Sequence, residues 1–80
     1  MYYIYFIESL SVQRQRYVGI TTDLEQRLRA HNQGKSFHTR KFSTWKLNTY
    51  VAFTDRAKAE AFERYVKSGS GHAFAKRRLW

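Results

Sequence analysis

RYVGITTDLEQRLRAHNQG, residues 16–34, reads as a strand, a tight turn and a capped helix in succession, and the rest of the chain is arranged to meet it. Tyr17, Val18 and Ile20 are strand formers, and Gly19 among them permits a close backbone approach or a bend. Thr22 with Glu25 three residues on has the form of a capping box that starts a helix at Asp23. The helix ends near Asn32, with Gly34 placed for a left-handed cap. Along it Leu24, Arg27, Leu28 and His31 fall at i, i+3, i+4 and i+7, the spacing of one buried stripe. Two of these are ionisable. On a core-facing stripe they cost desolvation unless paired, so they are either satisfied groups snorkelling past a core edge or side chains placed for work at a cleft.

Outward from this segment, YYIYFI at residues 2–7 is aromatic or β-branched throughout, which fits a first strand covered on both faces. The polar run Glu8–Gln15 is short enough for a hairpin loop, so the first two strands are expected to be antiparallel. Residues 33–44 carry Lys35, His38, Arg40 and Lys41 with few apolar neighbours and read as an exposed basic loop. WKLNTYVAF, residues 45–53, is the third strand. Asp55 or Thr54 caps a second helix running to about Lys67, in which the stripe Ala59, Phe62, Glu63, Val66 sets a carboxylate among apolar positions. Ser68–Gly71 is expected to break that helix before a third, basic helix over roughly His72–Leu79. Three strands and three helices in one domain, residues 1–80, make an α+β fold.

Cysteine is absent, which excludes disulfides and thiolate zinc sites and suits a reducing cytoplasm. Fifteen Lys and Arg against six Asp and Glu give a net charge of +9, a field that attracts polyanions. Nucleic acid is therefore the expected partner. A membrane is not, because YYIYFI is too short to span one and lacks a preceding basic region.

Of the six acids, Glu8, Asp23, Glu25, Asp55, Glu60 and Glu63, only Glu63 lies on a core stripe, which argues against a two-metal site built from several carboxylates. One Mg²⁺ or Mn²⁺ that takes its remaining ligands from water and phosphate is what this inventory permits. Strand alternation puts Tyr3, Tyr5 and Ile7 on one face and Tyr17 on a face with Gly19. If Tyr5 and Tyr17 are cross-strand neighbours, two phenols meet, and the glycine opposite leaves room for a ligand. Two phenols, Arg27, His31 and Glu63 on a basic surface suggest phosphodiester chemistry: charge stabilisation, proton movement and metal binding.

The order of these residues resembles the GIY-YIG nuclease superfamily, closest to its small stand-alone bacterial branch, which is similar to the catalytic domain of the repair excinucleases. Tyr3-Ile4-Tyr5 stands in the first motif's place and Tyr17-Val18-Gly19 in the second's. Arg27 and His31 look like the family's helical pair, and Glu63, in Ala59-x3-Glu63-x3-Lys67, like its metal-binding glutamate. Thr39, Trp45-Lys46-Leu47 and Lys67-Ser68-Gly69 also have counterparts in that branch. The resemblance implies a three-stranded antiparallel sheet flanked by helices, hydrolysis of DNA strands, and one divalent metal at Glu63. By it Tyr5 or Tyr17 is the general base or positions water, Arg27 stabilises the phosphate, and His31 orients or deprotonates a tyrosine or water. Tyr3 in the place of a family glycine is expected to narrow the site entrance.

The expected function is a metal-dependent DNA endonuclease, structure-specific in repair or recombination, working in the cytoplasm as a monomer or weak homodimer. RNA stays open as a substrate. Lys35, His38, Arg40, Lys41, Lys67, Lys76 and Arg77 are expected to contact the nucleic-acid backbone. Trp45 is expected to be a strand-edge anchor, and Trp80 to dock on the core. The alternative is a non-catalytic nucleic-acid-binding module, or one component of a larger nuclease complex.

Overall fold

Alternating aromatic and aliphatic side chains make Tyr2–Ser9 the central strand, β1, in the computed structural model, which describes residues 1–80. Ile4, Phe6 and Ile7 are fully buried and Tyr5 is 3% exposed, so β1 is covered on both faces. It pairs antiparallel with β2 (Arg16–Thr21) on one side and β3 (Trp45–Phe53) on the other, giving the order β2-β1-β3. The register sets Tyr5 opposite Gly19 and Ile7 opposite Tyr17. On the β3 side the ladder slips between Phe6 and Ile7, with Tyr5 opposite Tyr50.

Helices α2 (Arg56–Val66) and α3 (Gly69–Arg78) cover one sheet face through a core of Ile4, Phe6, Ala59, Val66 and Ala75. Helix α1 (Leu24–Asn32) and a 3₁₀ turn at Arg40–Phe42 cover the other, around Tyr5, Ile7 and Trp45, with Leu24, Leu28 and Phe42 packed against them. The result is the three-layered α+β arrangement that the strand and helix patterns imply. No helix is long and apolar enough to cross a membrane.

The local expectations need four corrections. The N-cap of α1 is Asp23, whose Oδ1 accepts from the Gln26 amide, in place of a Thr22 capping box. Glu25 pairs with Arg29 at 3.3 Å instead of reaching back. An Asp at this position adds a charge that favours the helix N-terminus, which a Thr does not. Of the two candidates before α2, Asp55 is the cap.

Helix α3 starts at Gly69, so only Lys67 and Ser68 separate it from α2. Gly71 is buried against the last turn of α2, where any Cβ would overlap the Tyr65 carbonyl, so this glycine serves close helix packing and not a break. The segment 33–44 is only partly an exposed loop, since Thr39 is 1% exposed. Trp45 is a buried core residue at 3% exposure, not an edge anchor, whereas Trp80 does dock on the core, edge-on to Phe6. Gly34 has φ 74°, as the left-handed cap requires.

Candidate active site

Tyr5 points from β1 toward α1, and its ring lies directly over Gly19, where a Cβ would collide with the phenol. The space that a glycine opposite Tyr5 was expected to leave for a ligand is thus filled by Tyr5 itself. Tyr17, one pleat along β2, sits with its ring centroid 6.3 Å from that of Tyr5. The i, i+3, i+4, i+7 stripe of α1 lowers Arg27 and His31 onto the same pair. Arg27 Nε donates to the Tyr5 hydroxyl at 3.2 Å, and His31 Nε2 is 2.9 Å from it.

The His31 ring is fully buried and completes its contacts through Nδ1, 2.6 Å from Thr39 Oγ1. Thr39 is itself held, because Trp45 Nε1 donates to its carbonyl at 2.9 Å. Trp45 is tied back to α1 in turn, exchanging backbone hydrogen bonds with the Asn32 side chain. The run Trp45–Thr39–His31–Tyr5, buried throughout and ending on half-buried Arg27, accounts for every buried side-chain polar atom here.

Two proton arrangements satisfy it. In one, the Tyr5 O–H donates to Nε2 and the Nδ1–H to Thr39. In the other, Thr39 donates to Nδ1 and the Nε2–H to Tyr5. Passing between them carries a proton through the imidazole.

Burial first, and the Arg27 charge second, push His31 down to about 4 from an ordinary 6.5. Burial also raises Tyr5, against the opposing pull of its bond to Arg27. The Tyr5 bond in turn raises Arg27. At neutral pH the centre is therefore a neutral phenol and a neutral imidazole beside one guanidinium.

These shifts fix a sign for stability. As pH falls below about 6.5 the unfolded chain protonates His31 before the folded one does, so stability is lost between about 6.5 and about 4, by on the order of 3 kcal/mol. Urea unfolding across that window should show the loss. A His31→Gln variant, lower in stability at neutral pH, should lack that part of the slope.

Glu63 is on α2, in the opposite layer. β2 is an edge strand, and the end of α2 reaches the phenols over that edge. Lys67 Nζ lies 3.2 Å from Glu63 Oε2 and 5.9 Å from the Tyr17 ring centroid. The Glu63 charge reaches the Tyr5 phenol as the least of the causes acting on it. The five expected side chains therefore form a buried pair, Tyr5 and His31, with half-buried Arg27 on it, and a rim, Tyr17 and Glu63 with Lys67. Tyr3 packs edge-on to Tyr50, 5.7 Å away on β3, so it leans from the rim instead of narrowing it.

The donor set decides what metal could be held. No three His, Cys, Asp or Glu side chains cluster, so the donors suit a hard divalent ion that keeps most of its waters and leans on one carboxylate and a substrate phosphate. Glu63, 22% exposed at its side chain, fits that role once Lys67 gives way.

The expected backbone contacts divide. Lys67 is at the site. Lys35, His38, Arg40 and Lys41 are exposed on the far loop, where Arg40 lies 4.9 Å over Phe37. Lys76 and Arg77 are exposed on α3. Thr39 carries no local signal that separates it from Ser36 or Thr44; only the resemblance marked it.

The family model described as the GIY-YIG catalytic domain matches residues 1–77. The chain belongs to the GIY-YIG family. A comparison with curated proteins gives no match. As a GIY-YIG domain it has a nuclease-type fold, which implies a nucleic-acid substrate. The strands that carry Tyr3-Ile4-Tyr5 and Tyr17-Val18-Gly19 are paired neighbours in the sheet of this GIY-YIG domain, with the Tyr5 ring resting on Gly19.

Proposed function

We propose that the protein is a Mg²⁺- or Mn²⁺-dependent endonuclease that hydrolyses a DNA phosphodiester bond, acting in the cytoplasm on structured DNA in repair or recombination. The observation that carries this reading is the Tyr5 hydroxyl held between a guanidinium and a neutral imidazole, 3.2 Å from Arg27 and 2.9 Å from His31. A surface that only bound DNA would not need a buried base in contact with a phenol.

The proposed chemistry follows from that contact. Tyr5 takes a proton from the attacking water as its own passes to His31 Nε2, and Thr39 holds Nδ1. Arg27 has one N–H committed to Tyr5 and offers its terminal nitrogens to the phosphate oxygens. Tyr17 and Lys67 orient water and phosphate at the rim. A divalent ion on Glu63 would polarise the phosphate and offset developing charge.

The test is incubation of purified protein with branched and flapped DNA in Mg²⁺ or Mn²⁺. Cleavage is expected with either ion and none with EDTA; matched RNA substrates report sugar selectivity. Tight, salt-sensitive binding with no turnover in any metal would leave a binding module in the enzyme's place.

A further inference from the structure

Beside the reacting centre, along the free edge of β2, lies a recess of 340 Å³, within the range of about 300–1,000 Å³ typical of small-ligand sites. Its floor is apolar: Val18, Val66 and Trp80. Its rim carries the basic side chains Arg16, Lys67 and His72. Tyr17 forms the wall it shares with the active site, and Lys67 there is the partner of Glu63. An apolar floor under a basic rim suits a nucleotide, with base or sugar below and phosphate above.

Arg16 is already in position for the phosphate. Its guanidinium lies 4.9 Å from the Trp80 ring centroid and 3.5 Å from the Glu8 carboxylate, and Trp80 is anchored edge-on to Phe6 at 5.3 Å. An arginine seated over an aromatic face keeps in-plane donors for an anion. The same Arg16 lines a second recess of 410 Å³ with Arg14 and Lys76, so basic side chains lead away from the site, with Glu8 on Arg16 as the one acid a phosphate would displace. The basic concavities around His38 and Arg40 and around Arg77 and Arg78 share no residue with either.

A base paired inside a duplex cannot enter such a recess, whereas an unpaired or extruded one can. We infer that the Arg16–Trp80 recess is a subsite for one unpaired nucleotide flanking the cut, with the neighbouring phosphates following Arg16, Arg14 and Lys76. This rests on the nuclease reading and narrows its substrate class to DNA that is unpaired next to the scissile bond, as at a fork or flap.

Binding in EDTA separates the subsite from cleavage. By fluorescence anisotropy a forked duplex should bind about tenfold more tightly than a blunt duplex of the same sequence, and Trp80→Leu should remove that margin, the effect of one base–aromatic stack. Arg16→Gln, at an exposed position, should narrow it as well and remains informative if the Trp80 variant fails to fold. The fork should also quench tryptophan emission, and Trp80→Phe should abolish the quenching, since Trp45 is buried. Equal affinity for fork and blunt duplex, unchanged in Arg16→Gln, would overturn the subsite even if both were cut. Fork preference with quenching but no cutting in any metal would support the subsite and overturn the nuclease reading.

Discussion

Exchanging Glu63 for Gln is expected to slow DNA hydrolysis by about a thousandfold, the equivalent of several kcal/mol of lost charge stabilisation at the phosphate. Thermal unfolding should hardly move. In the folded protein Glu63 makes one ion pair, with Lys67 a helical turn away, and pairs of that kind contribute about 0.2–0.5 kcal/mol. Gln preserves the side-chain volume and a hydrogen bond to Lys67, so fold and packing are held constant while the anionic ligand is removed. Affinity for DNA should stay the same or rise, because the substitution raises the net charge from +9 to +10. Single-turnover cleavage across a Mn²⁺ titration, with a thermal melt of each protein, measures both quantities. Equal rates in the two proteins would remove Glu63 from the chemistry, and a large drop in melting temperature with unchanged rates would make it a structural residue.

That a lone carboxylate lies on an otherwise apolar stripe was legible in the sequence; how it comes near the phenols was not. Helical periodicity fixes which residues share a stripe, and Ala59, Phe62 and Val66 do pack on the sheet while Glu63 stays half-buried beside them. It does not say which sheet face the helix covers, nor that β2 is an edge over which Glu63 and Lys67 can pass. The pairing of Tyr5 with Gly19 was hidden for a related reason. Register depends on the hairpin turn, and residues 10–15 contain none of the Gly or Asn pairs that mark a two-residue turn type; Arg14 takes the left-handed conformation there, φ 67°, with no glycine to announce it.

On α1 the sequence said more. A stripe with Arg and His at two of its four positions demanded partners, and the structure supplies them within 3.2 Å. Thr39 was out of reach of pattern, because a buried hydroxyl in a basic loop looks like any exposed one until the loop is folded back on α1. Gly71 misled for the opposite reason. Glycine beside serine is a common breaker signal, and only the position of the Tyr65 carbonyl shows it serving a helix–helix contact.

Gly19→Ala should be the most disabling substitution that leaves every ionisable group of the site in place. A Cβ at this position would overlap the hydroxyl and ring edge of Tyr5, so either the sheet distorts or the phenol swings away. Swinging is the cheaper response, because the clash falls at the far end of a side chain, whereas β2 is held by its ladder to β1. The stability cost should be about 1–3 kcal/mol, that of overpacking a filled site. The catalytic cost should be larger. The displaced hydroxyl is the one that Arg27 and His31 share, and a misplacement near 1 Å in a positioned group can cost about a hundredfold in rate. A double-mutant cycle with Tyr5→Phe separates position from stability. In the Phe background the hydroxyl is already gone, so adding Gly19→Ala should cost little further rate while still lowering the unfolding midpoint. If the two substitutions instead multiply in their effects on rate, Gly19 acts through something other than the Tyr5 phenol, and the close approach of the two motifs has no catalytic consequence.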